Sequence, residues 1–416
     1  MKKCCYAYET ERRTWEGEMG KVYVVGTMDT KAAELAYAAE RVRMAGAEAV
    51  LVDVGTHRTS DAADVAASEV AAHHPGGAGA VLGLGDRGKA VSAMAEALTH
   101  FFAMRRDIGA VLGLGGSGNT ALVTEAMRSL PIGVPKLMVS TVASGNTAPY
   151  VGPNDLALMH SVVDVAGLNS ISRMVIGNAA HAVAGMALNV PPVSAADRLG
   201  IGMTMFGVTT ACVNAVRAAL ENSHEVYVFH ATGVGGQSME KLADSGLLAG
   251  VIDATTTEVA DHLMGGVFSA GEERFDAIIR SRIPYVGSCG ALDMVNFGAT
   301  ETVPPQFRER RFHVHNAQVT LMRTAPEENR AIGAFIVSRL NRMEGAVRFL
   351  LPLQGVSAID APGQPFHDPE ADAALFGAIR LGWQPAPNRQ LIELDLHIND
   401  PAFAAALVDN YRTIAR

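Results

Sequence analysis

The chain has 416 residues, of which 49% are hydrophobic and 19% are charged, and its formal net charge is −9 at pH 7. This length allows two or three domains, and an acidic balance without a basic stripe argues against nucleic acid as the main partner. No uninterrupted apolar run reaches the roughly 18 residues that a membrane-spanning helix needs, so we expect no membrane association.

The N-terminal residues 1–18, MKKCCYAYETERRTWEGE, lack the hydrophobic middle region of a signal peptide. Met19 directly precedes the first clear strand, so we interpret residues 1–18 as an N-terminal extension and Met19 as the natural start. The four cysteines show neither metal-ligand spacing nor the pattern of a disulfide framework. The sequence therefore predicts a cytoplasmic protein.

Strands and helices alternate along residues 19–192. The pattern predicts strands at 21–26, 49–54 and 135–141, helices at 30–45, 90–104 and 168–188, and two further strand–helix pairs whose loops carry DRGKA (86–90) and GGSGN (115–119). Such alternation is typical of a parallel sheet with helices on both faces, which binds ligands at the carboxyl ends of its strands.

The stretch Ala110–Val123, AVLGLGGSGNTALV, predicts a strand, a glycine-rich turn and a helix. Gly113, Gly115 and Gly118 match the G-x-G-x-x-G pattern in its expected context. We expect the glycines of this turn, Gly116 included, to take positive φ and to let a ligand approach the backbone. Amides at the start of the helix would then face an anion such as a phosphate.

A dinucleotide site needs more than this turn, because a carboxylate at the end of the next strand normally holds the ribose hydroxyls. The next predicted strand ends in Ser140 and Thr141. The pattern therefore favours a mononucleotide or another phosphorylated ligand over NAD.

A second glycine loop precedes the first, because Ala80–Gly85 also reads AVLGLG and is predicted to be a strand. The loop that follows is one residue short of a Walker A motif, since Ala90 stands where Ser or Thr would hold magnesium. Arg87 and Lys89 lie just before the predicted helix. They either meet a phosphate or form a solvated pair at the helix start, and the sequence leaves both interpretations open.

The predicted helix Leu168–Leu188 is rich in small and apolar residues and carries few charges. A helix of this kind is buried in a core or in a subunit interface, and we predict a homodimer or a higher homo-oligomer. Pro191 and Pro192 end the pattern. We place a linker at 193–199 and a second α/β subdomain at 200–416.

The second subdomain resumes the alternation. Strands are predicted at 200–207, 225–230, 250–254, 285–287, 347–352 and 391–397, and helices at 210–220, 237–244 and 325–343. His230 and the loop ATGVGG lie at one strand end. Cys289 is either a nucleophile or, as we favour, a small buried thiol. His313 and His315 would share a face of a strand, but without fixed carboxylate partners they do not predict a metal site.

The motifs GTMDTKAAEL, DRGKA, VLGLGGSGNT, SLPIGVPKLMVSTVASGNTAPYVG and SVVDVAGLNSISR occur in this order. Together they resemble the family of the N-terminal ATP-binding domain of the tomato mosaic virus resistance protein, with its uncharacterised bacterial and fungal relatives. The resemblance runs from about Lys21 to near the C-terminus. It implies two Rossmann-like, doubly wound parallel-sheet subdomains, with ATP bound by the first, at 19–192.

The resemblance also implies which residues contact the nucleotide. Carried over by motif, these contacts are Asp29, Thr30, Lys31, Thr56, Arg87, Gly116, Ser117, Gly118 and Asn119. We therefore predict an ATP-binding protein in which the nucleotide stabilises a conformation or an oligomer. The alternative is a metabolic enzyme that uses ATP or a phosphorylated small molecule between the two subdomains. Neither the sequence nor the resemblance identifies catalytic residues.

Overall fold

The computed structural model describes residues 20–57, 62–191 and 200–415. The chain forms two compact units, which divide between Ser194 and Ala195. The predicted extension 1–18 and linker 193–199 lie outside the described residues, so their assignment stays a prediction.

The first unit is a parallel five-stranded sheet flanked by helices. Its strands are β1 (Lys21–Gly26), β2 (Ala49–Asp53), β3 (Ile108–Gly115), β4 (Lys136–Ser140) and β5 (Leu156–His160). Its helices are α1 (Met28–Met44), α2 (Ala67–Ala71), α3 (Arg87–Ala103), α4 (Ser117–Ser129), α5 (Ala148–Val151) and α6 (Ser170–Leu188).

The strands of this sheet lie in the order β2-β1-β3-β4-β5. Their side chains are apolar on both faces, as expected when helices cover both sides of a parallel sheet. Helices α1 and α6 pack on one face with Val22 and Val24 of β1. Helices α3 and α4 pack on the other face with Tyr23 and Val25.

The two copies of AVLGLG adopt different structures, so the predicted strand at Ala80–Gly85 is wrong. Residues 110–115 belong to β3, which pairs with β1 on one side and with β4 on the other. Residues 80–85 form the end of a 3₁₀ turn and a further turn, with Gly83 at φ 83°. Because glycine favours strands poorly, this hexapeptide is extended only where two neighbouring strands bind it.

The second unit contains a parallel six-stranded sheet. Its strands are β6 (Gly200–Met205), β7 (Glu225–His230), β8 (Leu248–Thr255), β9 (Tyr285–Gly290), β13 (Val347–Pro352) and β14 (Arg389–Leu394). They lie in the order β14-β13-β9-β8-β6-β7. Its helices are α7 (Thr210–Leu220), α8 (Val234–Asp244), α9 (Glu258–Met264), α10 (Asp276–Ser281), α11 (Pro326–Leu340), α12 (Pro369–Gly382) and α13 (Pro401–Ile414).

Counted from its own first strand, the second sheet repeats the order of the first sheet and adds one strand. Both units therefore have the doubly wound, Rossmann-like architecture that the sequence and the resemblance predict. The sequence did not predict the small antiparallel sheet of the second unit, formed by β10 (Met294–Phe297), β12 (Val319–Arg323) and β11 (Phe312–Asn316). Among the described residues, no helix is long and apolar enough to cross a membrane.

Candidate functional site

The order of the first sheet defines where a ligand crevice is expected. Strands β1 and β3 are neighbours in the sheet, but their following helices, α1 and α4, pack on opposite faces. The loops that follow these two strands therefore diverge. Doubly wound sheets bind their ligands in the crevice that such a divergence opens at the carboxyl edge.

The loop after β3 leads directly into α4, with Gly116 at the N-cap position. Gly116 has no side chain, and no side chain at this position caps the helix. The amides of Ser117, Gly118 and Asn119 are the first of α4 and have no partner within the helix. They lie at the positive end of the helix dipole, so this turn is suited to an anion.

The absence of a side-chain cap distinguishes α4 from the other helices of eight or more residues in the described part of the chain. In each of those, a side-chain oxygen accepts a hydrogen bond from an amide at the start of the helix. The acceptors are Asp53 at α1, Asp86 at α3, Asn169 at α6, Asn399 at α7, Glu258 at α8, Glu328 at α11, Asp368 at α12 and Asp400 at α13.

The predicted positive φ angles are wrong for three of the four glycines of this loop, since only Gly115 has one, at 159°. Gly113 is required by packing, because a Cβ atom there would lie 2.4 Å from Met138 Sδ. A Cβ on Gly115 would lie 2.7 Å from Asn119 Cβ. A Cβ on Gly118 would meet no atom of the described chain within 4 Å. Gly118 is therefore not needed for folding in the way Gly113 is.

Asn119 is buried in the first turn of α4. Its Nδ2 donates to the backbone oxygen of Leu114, which fixes the end of β3 against the helix. Its Oδ1 is buried and has no hydrogen-bond partner among the described residues. An acceptor without a partner is costly in a folded protein. This one lies at the turn whose amides have no partner within the helix.

The loop after β1 carries the predicted residues Asp29, Thr30 and Lys31 in the first turn of α1. Asp29 and Lys31 are half-buried, and Thr30 is exposed. The hydroxyl oxygens of Thr27 and Thr30 are 3.1 Å apart. Lys31 Nζ donates a hydrogen bond to the backbone oxygen of Val165, so its ammonium group is engaged with the chain itself.

Asp53, the last residue of β2, is a structural residue that the sequence analysis missed. Its Oδ1 accepts hydrogen bonds from Met28 N at 2.9 Å and from Gly55 N at 2.8 Å. One buried carboxylate therefore joins the loop after β1 to the loop that carries Thr56. A lone acidic residue that ends an apolar strand was the available sequence signal.

Arg87 is the first residue of α3 and is exposed. Since α3 leads into β3, its first turn lies at the same edge of the sheet as the other loops. Asp86 caps this helix by accepting from Lys89 N at 3.0 Å. No hydrogen bond or ion pair within the described residues joins Arg87 to the loops after β1 and β3.

The loop after β4 adjoins the glycine turn. The hydroxyl oxygens of Ser140 and Thr120 are 2.6 Å apart, and Thr141 N donates to the backbone oxygen of Gly115 at 3.3 Å. The structure thus brings together the loops after β1, β2, β3 and β4 at one edge. Ser140 is fully buried, and the end of β4 presents no carboxylate for a ribose.

The glycine loop of the second unit, which follows β7, binds a carboxylate of the protein itself. Glu258 Oε1 accepts from Gly233 N at 2.8 Å and from Gly236 N at 3.0 Å, while its Oε2 accepts from Arg274 Nε at 3.0 Å. A Cβ on Gly236 would lie 2.0 Å from Glu258 Oε2. Glu258 therefore occupies amides of the ATGVGG loop that could otherwise donate to an anion.

The remaining candidates of the second unit are not assembled into a site. Cys289 is fully buried, and burial raises the pKa of its thiol far above the usual range. This favours the small buried thiol over the nucleophile. His313 and His315 lie in β11, at the edge of the antiparallel sheet. Among the described residues, no group of three or more His, Cys, Asp or Glu side chains is arranged to hold a metal ion.

Both halves of the chain match one family. The "Uncharacterised protein family (UPF0261) N-terminal domain" matches residues 20–192, and the C-terminal domain of the same family matches residues 198–415. A UPF0261 protein of Mesorhizobium japonicum is 55% identical over 390 residues, which are 94% of this chain and 98% of the relative.

A second relative is the "ToMV resistance protein Tm-1(GCR237)" of Solanum lycopersicum, 44% identical over 97% of this chain and 57% of its own length. A UPF0261 protein of Clostridium tetani is 42% identical over 93% of this chain and 97% of the relative. The resemblance that the motifs predict is therefore confirmed.

Proposed function

The chain belongs to the uncharacterised protein family UPF0261, and from this premise we propose that its first unit binds ATP at the carboxyl edge of the five-stranded sheet. The observation that carries the proposal is the first turn of α4. Within the described part of the chain, no side chain caps this turn, whereas the other long helices each have a side-chain acceptor at their start. The triphosphate lies against the amides of Ser117, Gly118 and Asn119. Helix N-termini bind phosphate in this way in many nucleotide-binding folds.

The loops beside α4 supply the remaining contacts. Asp29, Thr30 and Lys31 approach from the loop after β1, Thr56 from the loop after β2, and Arg87 from the first turn of α3. We favour ATP over NAD because β4 ends in the buried hydroxyl of Ser140 instead of a carboxylate that would hold the ribose. The resemblance, which implies ATP, supports the same choice. Binding stabilises one conformation of the first unit or an oligomer of the chain.

A thermal-shift experiment tests this proposal. A ligand that binds only the folded state stabilises it by RT ln(1 + [L]/Kd), which is about 2.7 kcal/mol at roughly a hundredfold excess over Kd. We expect millimolar ATP, and ADP to a lesser degree, to raise the melting temperature while NAD does not. A melting curve that NAD shifts and that ATP and ADP leave unchanged would show that the nucleotide assignment is wrong.

A further inference from the structure

Residues 161–169, here called the strap, join β5 to α6. Strand β5 lies at one end of the sheet, whereas α6 packs against α1 and Val22 and Val24 of β1. The strap therefore runs along the carboxyl edge, past the ends of β4 and β3. Ser161 N donates to the backbone oxygen of Ser140 at 3.1 Å, which ties the start of the strap to the end of β4.

Two side chains of α1 hold the far end of the strap. Lys31 Nζ donates to the backbone oxygen of Val165, and Glu34 Oε1 accepts from Gly167 N at 2.5 Å. Val165 and Glu34 are 1% and 2% exposed, so these contacts form a buried seam between the strap and α1. The strap also contains Val162 at φ 66°, a conformation that is unfavourable for a β-branched residue.

Helix α1 is distorted at Lys31. The residue has φ −136° and ψ 27°, which are not helical angles, although residues on both sides of it are helical. The same residue thus interrupts the helix and reaches the strap with its side chain. Lys31 is also one of the residues through which ATP is proposed to bind.

We propose that the strap responds to the ligand, because Lys31 exchanges the carbonyl of Val165 for a phosphate oxygen. This inference rests on the proposed function and adds a conformational consequence to it. The strap meets α1 on the α6 face, whereas α4 begins on the opposite face of the sheet. Lys31 must therefore turn away from the strap to reach a phosphate at the first turn of α4.

The negative charge of the phosphate favours this change of acceptor by Lys31. A phosphate oxygen accepts a stronger, charge-assisted hydrogen bond from an ammonium group than a neutral carbonyl does. Once Lys31 leaves, the strap keeps the bond from Gly167 N to Glu34 and loses the bond at Val165. Helix α1 with Lys31 on the strap and α1 with Lys31 on the phosphate are thus two alternative states, and the ligand shifts the population between them.

Hydrogen exchange of the backbone amides, followed by mass spectrometry with and without ATP and magnesium, tests the inference. We expect ATP to slow exchange at residues 116–119 and to speed exchange in the strap about tenfold, the scale of one hydrogen bond from a charged group. Slowed exchange at 116–119 with unchanged or slower exchange in the strap overturns the inference and leaves the proposed function standing. If ATP changes neither the exchange at 116–119 nor the melting temperature, the inference and the proposed function are both overturned.

The variant Lys31→Met removes the ammonium group and keeps most of the length of the side chain. Without ligand, its strap is expected to exchange as fast as that of the ATP-bound natural protein, and ATP should not speed it further. Lys21→Met is the matched control, because Lys21 lies at the opposite edge of the sheet and pairs with Glu48. A Lys31→Met strap that exchanges at the natural, ligand-free rate overturns the inference.

Discussion

At the scale of a single residue, a substitution of Gly118 is expected to affect ligand binding without affecting folding. A Cβ there would meet no atom of the described residues within 4 Å. The fold therefore has room for a side chain at this position, and we expect that side chain to hinder the approach of a phosphate to the α4 amides. We predict that Gly118→Val raises the Kd for ATP at least tenfold, the scale of about one lost hydrogen bond to a charged group. Isothermal titration calorimetry measures the affinity, and the melting temperature without ligand reports the fold.

The matched control is Gly377→Val. Gly377 also lies in a helix, and a Cβ there would meet no described atom within 4 Å, but it belongs to the second unit. Both variants place a valine in a helix, and only Gly118→Val should weaken ATP binding. Equal affinities in the two folded variants would contradict the phosphate site at α4.

Arg87 is expected to contribute less than the amides of α4. Its side chain is exposed at the start of α3, and exposed ion pairs are weak because solvent screens them. We predict that Arg87→Ala raises the Kd for ATP roughly threefold, and that added salt reduces the difference from the natural protein. A loss as large as that of Gly118→Val in the same titration would show that Arg87 is a principal contact.

At the scale of elements, the loops after β9 and β13 of the second unit contribute to a buried cluster that has more carboxyl groups than cations. Asp293 and Asp360 are fully buried near Asp372, and Arg323 is the cation among them. Asp293 Oδ2 accepts from Ser357 Oγ at 2.8 Å, while its Oδ1 has no hydrogen-bond partner in the part of the chain that the structure describes. Burial, reinforced by the charge of Asp360, raises the pKa of Asp293 to about 7 and that of Asp372 to about 8.

These raised pKa values predict that alkaline pH destabilises the second unit. The folded state keeps protons on these carboxyl groups between about pH 4 and 8, where the unfolded state has released them. The stability that these carboxyl groups contribute is therefore fully present below their unfolded pKa. It is lost as the pH rises through their folded pKa values of about 7 to 8. We predict that the urea midpoint of the natural protein falls between pH 6 and pH 8.5.

The variant Asp293→Asn supplies the control for this pH dependence. It cannot ionise and retains an oxygen that accepts from Ser357, so its urea midpoint should fall less over the same interval. A fall of equal size in the variant and the natural protein would contradict the assignment of the effect to Asp293.

At the scale of the whole molecule, α6 supplies the surface through which we predict that the chain forms an oligomer. One face of this helix is buried against α1 and the sheet. The opposite face exposes Ile171, Met174 and Met186 by 37%, 59% and 39%, and Arg173 is the one Lys, Arg, Asp or Glu residue of the helix. Exposed apolar faces of this kind mark sites of association.

We predict a twofold homodimer that buries this face. Light scattering at micromolar concentration should give twice the chain mass of 43.7 kDa, and Met174→Glu should give the single-chain mass because it places a charge in the interface. Met104→Glu is the control, since Met104 is 66% exposed and lies at the end of α3, on the other face of the sheet. A single-chain mass for the natural protein, with or without ATP, removes the dimer.

The sequence by itself determined the fold class and most of the helices and strands. Alternating apolar strands and helices that carry their own periodicity, such as β1, β7, β13 and α7, need only local pattern to be recognised. The same pattern located the candidate site, because the ends of parallel strands meet at one edge. The order of five motifs was sufficient to predict the family.

Only the tertiary structure decided which conformation a repeated sequence adopts and which glycine loop the protein fills with its own side chain. The same six residues form a strand at 110–115 and turns at 80–85, because only the copy at 110–115 has a neighbouring strand on each side. The glycine loop of the second unit binds Glu258, a residue more than twenty positions away, whereas no described side chain caps the start of α4 in the first unit. Partners that are distant along the chain decide both outcomes, so the sequence predicted where ligands could bind and the structure decided which of these places the protein fills itself.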